Sequence, residues 1–143
     1  MSKSDSPVGL AVDQGSTASQ SPASTPPLVL VLDDEVFIAM DLCAVVEETG
    51  ARVLGPALTL DEAFDLMDRQ TPDYALLDIN VAGRAVWPVA RHLAGAGCDI
   101  VFISANSNHT ELRTEFADSP VIDKPASPTE IRRHMAWVDH ASA

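Results

Sequence analysis

Five consecutive apolar residues, Leu28-Val29-Leu30-Val31-Leu32, run directly into a pair of aspartates, Asp33-Asp34. An unbroken apolar run of this length suits a strand covered on both faces, and such strands are typical of parallel sheets. A one-sided antiparallel sheet would show alternating polar and apolar residues instead. The two carboxylates then sit where the strand leaves the core, at its carboxyl end.

The remaining sequence repeats this alternation of short apolar runs and amphipathic stretches. Val36 to Thr49 reads as a helix with Ile38, Leu42, Val45 and Val46 on one face, closed by Gly50. Arg52-Val53-Leu54 is a short second strand. Thr59-Leu60-Asp61-Glu62 has the capping-box spacing and opens a helix that presents Ala63, Phe64 and Met67. Asp73 to Leu77 gives a third strand, followed by a loop from Asn80 to Arg84. A third helix carries Val89, Ala90 and Leu93, with Pro88 in its first turn, where a missing N–H is harmless. Ile100 to Ile103 is the fourth strand, and Asn108-x-x-Glu111 caps a short helix near residues 109–117. Val121-Ile122 is the fifth strand. Ser127-Pro128-Thr129-Glu130 combines N-cap, N1 proline and N3 glutamate, and the helix it opens turns Ile131, Met135 and Val138 inward. Five strands alternating with five helices demand a parallel sheet covered on both faces, and five are too few for the eight-stranded barrel. The expected fold is α/β, a doubly wound (βα)5 sheet in the order 2-1-3-4-5.

Residues 1–27 are rich in Ser, Pro, Ala, Gly and Thr without apolar periodicity, and read as a flexible tail ending at Pro26-Pro27. The domain is then 28–143. Of the formal charge of −12, the tail holds only Lys3, Asp5 and Asp13, which leaves 19 acids against 8 bases, or −11, in the domain. Such a field repels phosphate backbones, so no direct nucleic-acid binding is expected. Cys43 and Cys98 make no disulfide framework and no ligand spacing. No signal peptide or membrane span is visible, and the expected location is cytoplasmic. His92, His109, His134 and His140 share no ligand spacing and read as surface or packing residues. Asp61, Glu62, Asp65 and Asp68 form a solvated helix face, and Trp87 reads as a partial-core residue.

In a doubly wound sheet, ligands bind outside the carboxyl ends of the strands, where strand order reverses. Strand one delivers Asp33 and Asp34 there, strand three Asp78, strand four Ser104 and strand five Lys124, followed by Pro125. Two carboxylates about 4–5 Å apart repel by roughly 3–4 kcal/mol at an effective dielectric near 20, so three together favour a divalent cation. All the donors are hard oxygens, which suits Mg²⁺ completed by water and phosphate oxygens. Lys124 and the Ser104 hydroxyl can neutralise the oxygens of a phosphoryl group, and one carboxylate, the central Asp78, can attack it.

Val31-Leu32-Asp33-Asp34-Glu35, Pro72 to Asn80, Ile103-Ser104-Ala105 and Lys124-Pro125 together resemble the receiver domain of response regulators, over residues 28–139. The resemblance implies a flavodoxin-like fold with Asp78 as phosphoacceptor. It implies Asp34 as a direct Mg²⁺ ligand, Asp33 as one acting through water, and the backbone carbonyl of Asn80 as a further ligand. Ser104 becomes the switch hydroxyl, Lys124 the partner of the phosphoryl group, and Lys124–Pro125 a cis peptide. Leu54-Gly55-Pro56-Ala57 and Trp87-Pro88-Val89-Ala90 further resemble small, often stand-alone receivers of alphaproteobacteria. Two departures stand out: Val121 occupies a position where many receivers carry Tyr or Phe, and Val81-Ala82-Gly83-Arg84 lacks the usual proline-glycine pair. The first shifts the expected output toward the loop and helix after Ser104.

The implied function is a single-domain response regulator, phosphorylated by a histidine kinase or histidine phosphotransfer protein. It signals through a downstream protein target or acts as a relay intermediate or phosphate sink, as a monomer or weak homodimer. Two alternatives compete. A phosphorylation-independent adaptor would have lost a pocket carboxylate or Lys124, and neither is lost. An Mg²⁺-dependent phosphohydrolase usually carries a second aspartate two residues after the nucleophile, where this chain has Asn80.

Overall fold

The structure, a computed structural model, describes residues 25–142, with the side chains of residues 136–142 outside that description. The tail reading for residues 1–24 and the placing of Val138, Trp137 and His140 therefore lie outside the described residues. In chain order the elements are β1 (Leu28–Leu32), α1 (Val36–Glu48), β2 (Arg52–Ala57), α2 (Leu60–Arg69), β3 (Tyr74–Asp78), β4 (Asn80–Val81), β5 (Arg84–Ala85), α3 (Trp87–Gly95), β6 (Asp99–Ser104), α4 (Thr110–Arg113), β7 (Val121–Asp123) and α5 (Pro128–Ser142).

Five strands form one parallel sheet in the order β2-β1-β3-β6-β7. With the two-stranded β4–β5 hairpin set aside, this is the 2-1-3-4-5 order expected from the sequence. Every residue of β1 and β3 is buried, which accounts for their unbroken apolar runs. Alternate residues serve opposite faces. Leu28, Leu30, Leu32, Leu77 and Phe102 pack under α2 and α3, while Val29, Val31, Leu76, Val101 and Ile103 pack under α1 and α5. Fully buried Phe102 anchors the first face, where its truncation to Ala would cost about 3–5 kcal/mol. Cys98 belongs to that face and Cys43 borders the other, so the sheet separates the two thiols, and both are free.

Several local expectations are corrected. The segment from Asn80 to Arg84 is a hairpin rather than an open loop: Ala82 and Gly83 both take positive φ, 51° and 81°, the backbone of a tight type I′ turn. The second strand continues three residues beyond Leu54, through a register shift opposite Val31. Gly55 there has φ of 114°, and a Cβ would stand 2.8 Å from the Ala57 backbone nitrogen, so only glycine fits. Ile38 is partly exposed, with Ala39 taking the inward place in the first turn of α1. Val36, Phe37 and Met40 around that turn are exposed as well. The helix after Ser104 has only four residues, and Asn108 does not cap it; its side chain instead accepts from Arg113. Trp87 is more deeply buried than expected, stacked on Phe116 and edge-on to Phe102.

The two expected helix starts hold. Thr59 Oγ1 accepts from the Glu62 N–H, and Glu62 reaches back to the Leu58 N–H rather than to that of Thr59. Ser127 Oγ likewise accepts from the Glu130 N–H. At the other boundary, the carbonyls of Pro26 and Pro27 accept hydrogen bonds from Arg52.

Candidate functional site

The parallel register sets the heights of the chemistry-bearing residues. Asp78, the last residue of β3, pairs with Ile103 of β6, and Ser104 pairs with Asp123 of β7. The Lys124 N–H donates to the Ser104 carbonyl, which fixes the start of the following turn, and the Lys124–Pro125 peptide is cis. On the other side, the Asp33 N–H donates to the Ala57 carbonyl, so the irregular end of β2 positions the first carboxylate.

Carboxylate oxygens of Asp33, Asp34 and Asp78 lie within 4.8 Å of one another. Asp33 is fully buried and Asp78 nearly so, whereas Asp34 is exposed at the rim. Asp33 Oδ1 accepts from the Glu35 N–H at 2.9 Å, but its buried Oδ2 has no hydrogen-bond partner. Lys124 Nζ stands 3.1 Å from Asp78 Oδ2, 3.4 Å from Asp33 Oδ2 and 3.5 Å from Glu35 Oε1. One ammonium therefore faces a surplus of negative charge. Asp34 Oδ2 accepts from the Ala82 N–H at 2.8 Å, which ties the β4–β5 turn to the rim.

Burial pushes the Asp78 carboxyl up to about 6, reinforced by the charge of Asp33 and only partly opposed by Lys124. Burial likewise raises Asp33 despite the Glu35 N–H and Lys124. For Lys124, burial favours the neutral amine, but the hydrogen bond and charge of Asp78, with Asp33 behind it, outweigh that and hold its pKa above the ordinary lysine value. A buried carboxylate oxygen that meets only an ammonium shared with other acids, beside two further carboxylates, is costly unless a further cation compensates it. The donor set is all hard oxygen, so these residues fit a small divalent cation such as Mg²⁺.

A cleft of about 380 Å³ joins Asp34, Glu35, Asp78, Asn80, Ser104, Asn106, His109 and Lys124. All six residues proposed from sequence thus reach one place: Asp33, Asp34 and Asp78 in the carboxylate cluster, with Asn80, Ser104 and Lys124 on the cleft wall. The Ser104 hydroxyl is engaged with its own loop, donating to the Asn106 carbonyl and accepting from the Asn106 N–H.

No family model matches the chain. Sequence comparison finds the transcriptional regulatory protein PdtaR of Mycobacterium tuberculosis, 34% identical over 62 residues, a stretch that is 43% of this chain and 30% of the relative. Among solved structures, the response regulator PhyR from Brucella abortus aligns over 82% of this chain and 51% of its own length, with 29% identity and a TM-score of 0.68. The signal receiver domain of a modulated diguanylate cyclase from Desulfovibrio desulfuricans G20 aligns over 81% of this chain and 95% of its own, with 29% identity and a TM-score of 0.65.

The chain has the fold of response-regulator receiver domains. It spans about half the length of the Brucella PhyR structure, and its match to PdtaR takes in under a third of that protein. Within the receiver frame, three features escaped the sequence. Glu35 was legible only as the end of an acidic run, yet it reaches a lysine 89 positions away. The aromatic weight missing at half-buried Val121 lies elsewhere, in the cluster of Trp87, Phe102 and Phe116, with the His109 ring 5.6 Å from Trp87. The start of α1 exposes Val36, Phe37 and Met40, Phe37 to 83%, although apolar periodicity reads them as part of an ordinary helix. Among the described residues, no helix is long and apolar enough to cross a membrane.

Proposed function

We propose that this receiver domain accepts a phosphoryl group on Asp78 in an Mg²⁺-dependent reaction, with a phosphohistidine of a histidine kinase or histidine phosphotransfer protein as donor. The observation that carries the reading is the buried Oδ2 of Asp33, without a hydrogen bond beside Asp34 and Asp78, with one lysine shared between Asp33 and Asp78. In this reading Asp34, Asp78 and the backbone carbonyl of Asn80 would hold the ion, and Asp33 would act on it through water. Bound there, Mg²⁺ supplies charge neutralisation for the carboxylates and for phosphoryl oxygens.

A carboxylate oxygen of Asp78 attacks phosphorus in line. The P–N bond to the donor imidazole breaks with its electron pair remaining on nitrogen, which takes up a proton from solvent. The Lys124 ammonium, already 3.1 Å from Asp78, neutralises one phosphoryl oxygen. To donate to another, the Ser104 hydroxyl gives up its bond to the Asn106 carbonyl, so phosphorylation loosens the turn that leads to His109 and α4. The bound group adds about −1.5 to −2 charges at this spot. The exposed apolar residues at the start of α1 lie beside Glu35 at the cleft mouth, a suitable surface for the donor protein. The surrounding acidic field favours a donor with a basic face. Output then passes through protein contacts, to a downstream target or along a relay.

Intact-mass spectrometry after incubation with Mg²⁺ and acetyl phosphate tests the proposal. The wild-type chain should gain one phosphoryl group, and Asp78→Asn should gain none. Equal labelling of both would show that Asp78 is not the acceptor. Sustained release of phosphate from a phosphomonoester would point to a hydrolase instead.

A further inference from the structure

Glu35 lies between two cavities. It lines the cleft that holds Asp78, and it lines a larger groove of about 680 Å³ between α1 and α5, floored by Leu42, Val45 and Ile131. Its carboxylate is 62% exposed, whereas the Lys124 side chain it meets at 3.5 Å is only 19% exposed. The buried contacts of Lys124 to Asp33 and Asp78 account for the lysine's place in the core of the site. Glu35 adds a third carboxylate from the solvent side, which no buried group requires.

We propose that Glu35 is a specificity-determining residue for the phosphoryl donor: it restrains Lys124 at the cleft mouth and disfavours donors in proportion to their negative charge. The inference rests on the phosphoacceptor reading above. An incoming phosphoryl group must approach the Lys124 ammonium past the Glu35 carboxylate, and a more anionic donor is repelled more strongly. At about 6 Å in water, one unit of donor charge against one carboxylate changes the encounter roughly threefold. A protein donor that brings a cation to Glu35 removes this repulsion and releases Lys124 together.

Two small donors separate the effect from a general loss of structure. Acetyl phosphate is largely doubly anionic at neutral pH, and phosphoramidate largely singly anionic. With the first, Asp78 forms the new O–P bond as the acyl O–P bond breaks and acetate leaves. With the second, the P–N bond breaks and ammonia leaves after protonation of its nitrogen. Initial rates of mass gain with Mg²⁺ should show the acetyl phosphate to phosphoramidate ratio rising roughly threefold in Glu35→Gln, with the gain shrinking as salt is added. Glu35→Asp should keep the wild-type ratio, and Asp41→Asn, a charge change on the groove wall only, should leave it alone. A ratio unchanged in Glu35→Gln, with both rates scaled by one factor, would overturn the inference and leave the phosphoacceptor reading standing. Absence of Asp78-dependent label from the wild type with either donor would sink both.

Discussion

Asp73 and Asp33 lie at opposite ends of the same parallel sheet, and the protein treats them differently. At the amino end, exposed Asp73 places Oδ2 2.8 Å from the Leu28 N–H, and its own N–H donates to the Leu28 carbonyl. That carboxylate closes the first rung of the ladder and keeps access to water. At the carboxyl end, Asp33 is fully buried, and its Oδ2 lacks a hydrogen-bond partner while two more carboxylates press against it. One end of the sheet uses an acid to finish backbone bonding; the other stores unbalanced charge. An acidic residue at a strand end therefore says little until its burial and its donors are known.

The largest expected effect that separates the two ends is chemical. Asp78→Asn should abolish Mg²⁺-dependent labelling, whereas Asp73→Ala should label like the wild type. Loss of label in Asp73→Ala, in a variant shown folded by circular dichroism, would erase the distinction. Next comes metal affinity. In a titration, Asp34→Ala should weaken Mg²⁺ binding more than Asp33→Ala, and Asp73→Ala should not weaken it. The reverse order for the first pair would exchange the roles assigned to Asp33 and Asp34.

A third effect appears in stability against pH. The Asp78 carboxyl is raised from 3.8 to about 6, so the folded domain binds this proton more tightly than the unfolded chain does. Its contribution thus destabilises the metal-free fold progressively as pH rises from about 4 to 6, and stays constant above. Asp78→Asn should remove that decline and stabilise the metal-free domain at pH 7 by about 1–3 kcal/mol, read from urea melts in chelator. Added Mg²⁺ should narrow the gap by stabilising only the wild type. A metal-free variant less stable than wild type at pH 7 would contradict the charge surplus. The smallest effect belongs to the other end: Asp73→Ala should cost about 1 kcal/mol by removing the acceptor for the Leu28 N–H. A loss near zero would mean that water replaces the carboxylate there.

Legibility followed the range of the interactions. The strands β1 and β3 showed themselves because burial on both faces writes a continuous apolar run, and α5 because its cap is built from four adjacent residues. The convergence of Asp33, Asp34, Asp78, Ser104 and Lys124 was legible because strand ends mark one edge of a doubly wound sheet, whereas Asn80 entered only through the resemblance to receivers. The hairpin at Ala82-Gly83 was missed because a type I′ turn carries no side-chain period, and its anchor, Asp34, is 48 residues away. The short α4 was overrated because the Asn108 side chain went to Arg113 instead of a cap. The exposure of Ile38 was hidden because periodicity picks a helix face but not which residue of its first turn, here Ala39, meets the core.

The sequence alone determined the alternation of the five parallel strands with helices and the edge at which the acids gather, since these follow from local hydrophobic period and the rule that a doubly wound sheet binds at its carboxyl ends. Only the tertiary structure decided which acids are stranded and which are satisfied, and that Glu35 shares Lys124 with Asp33 and Asp78. The physical reason is that desolvation and Coulomb energy depend on distance in space, whereas sequence records distance along the chain.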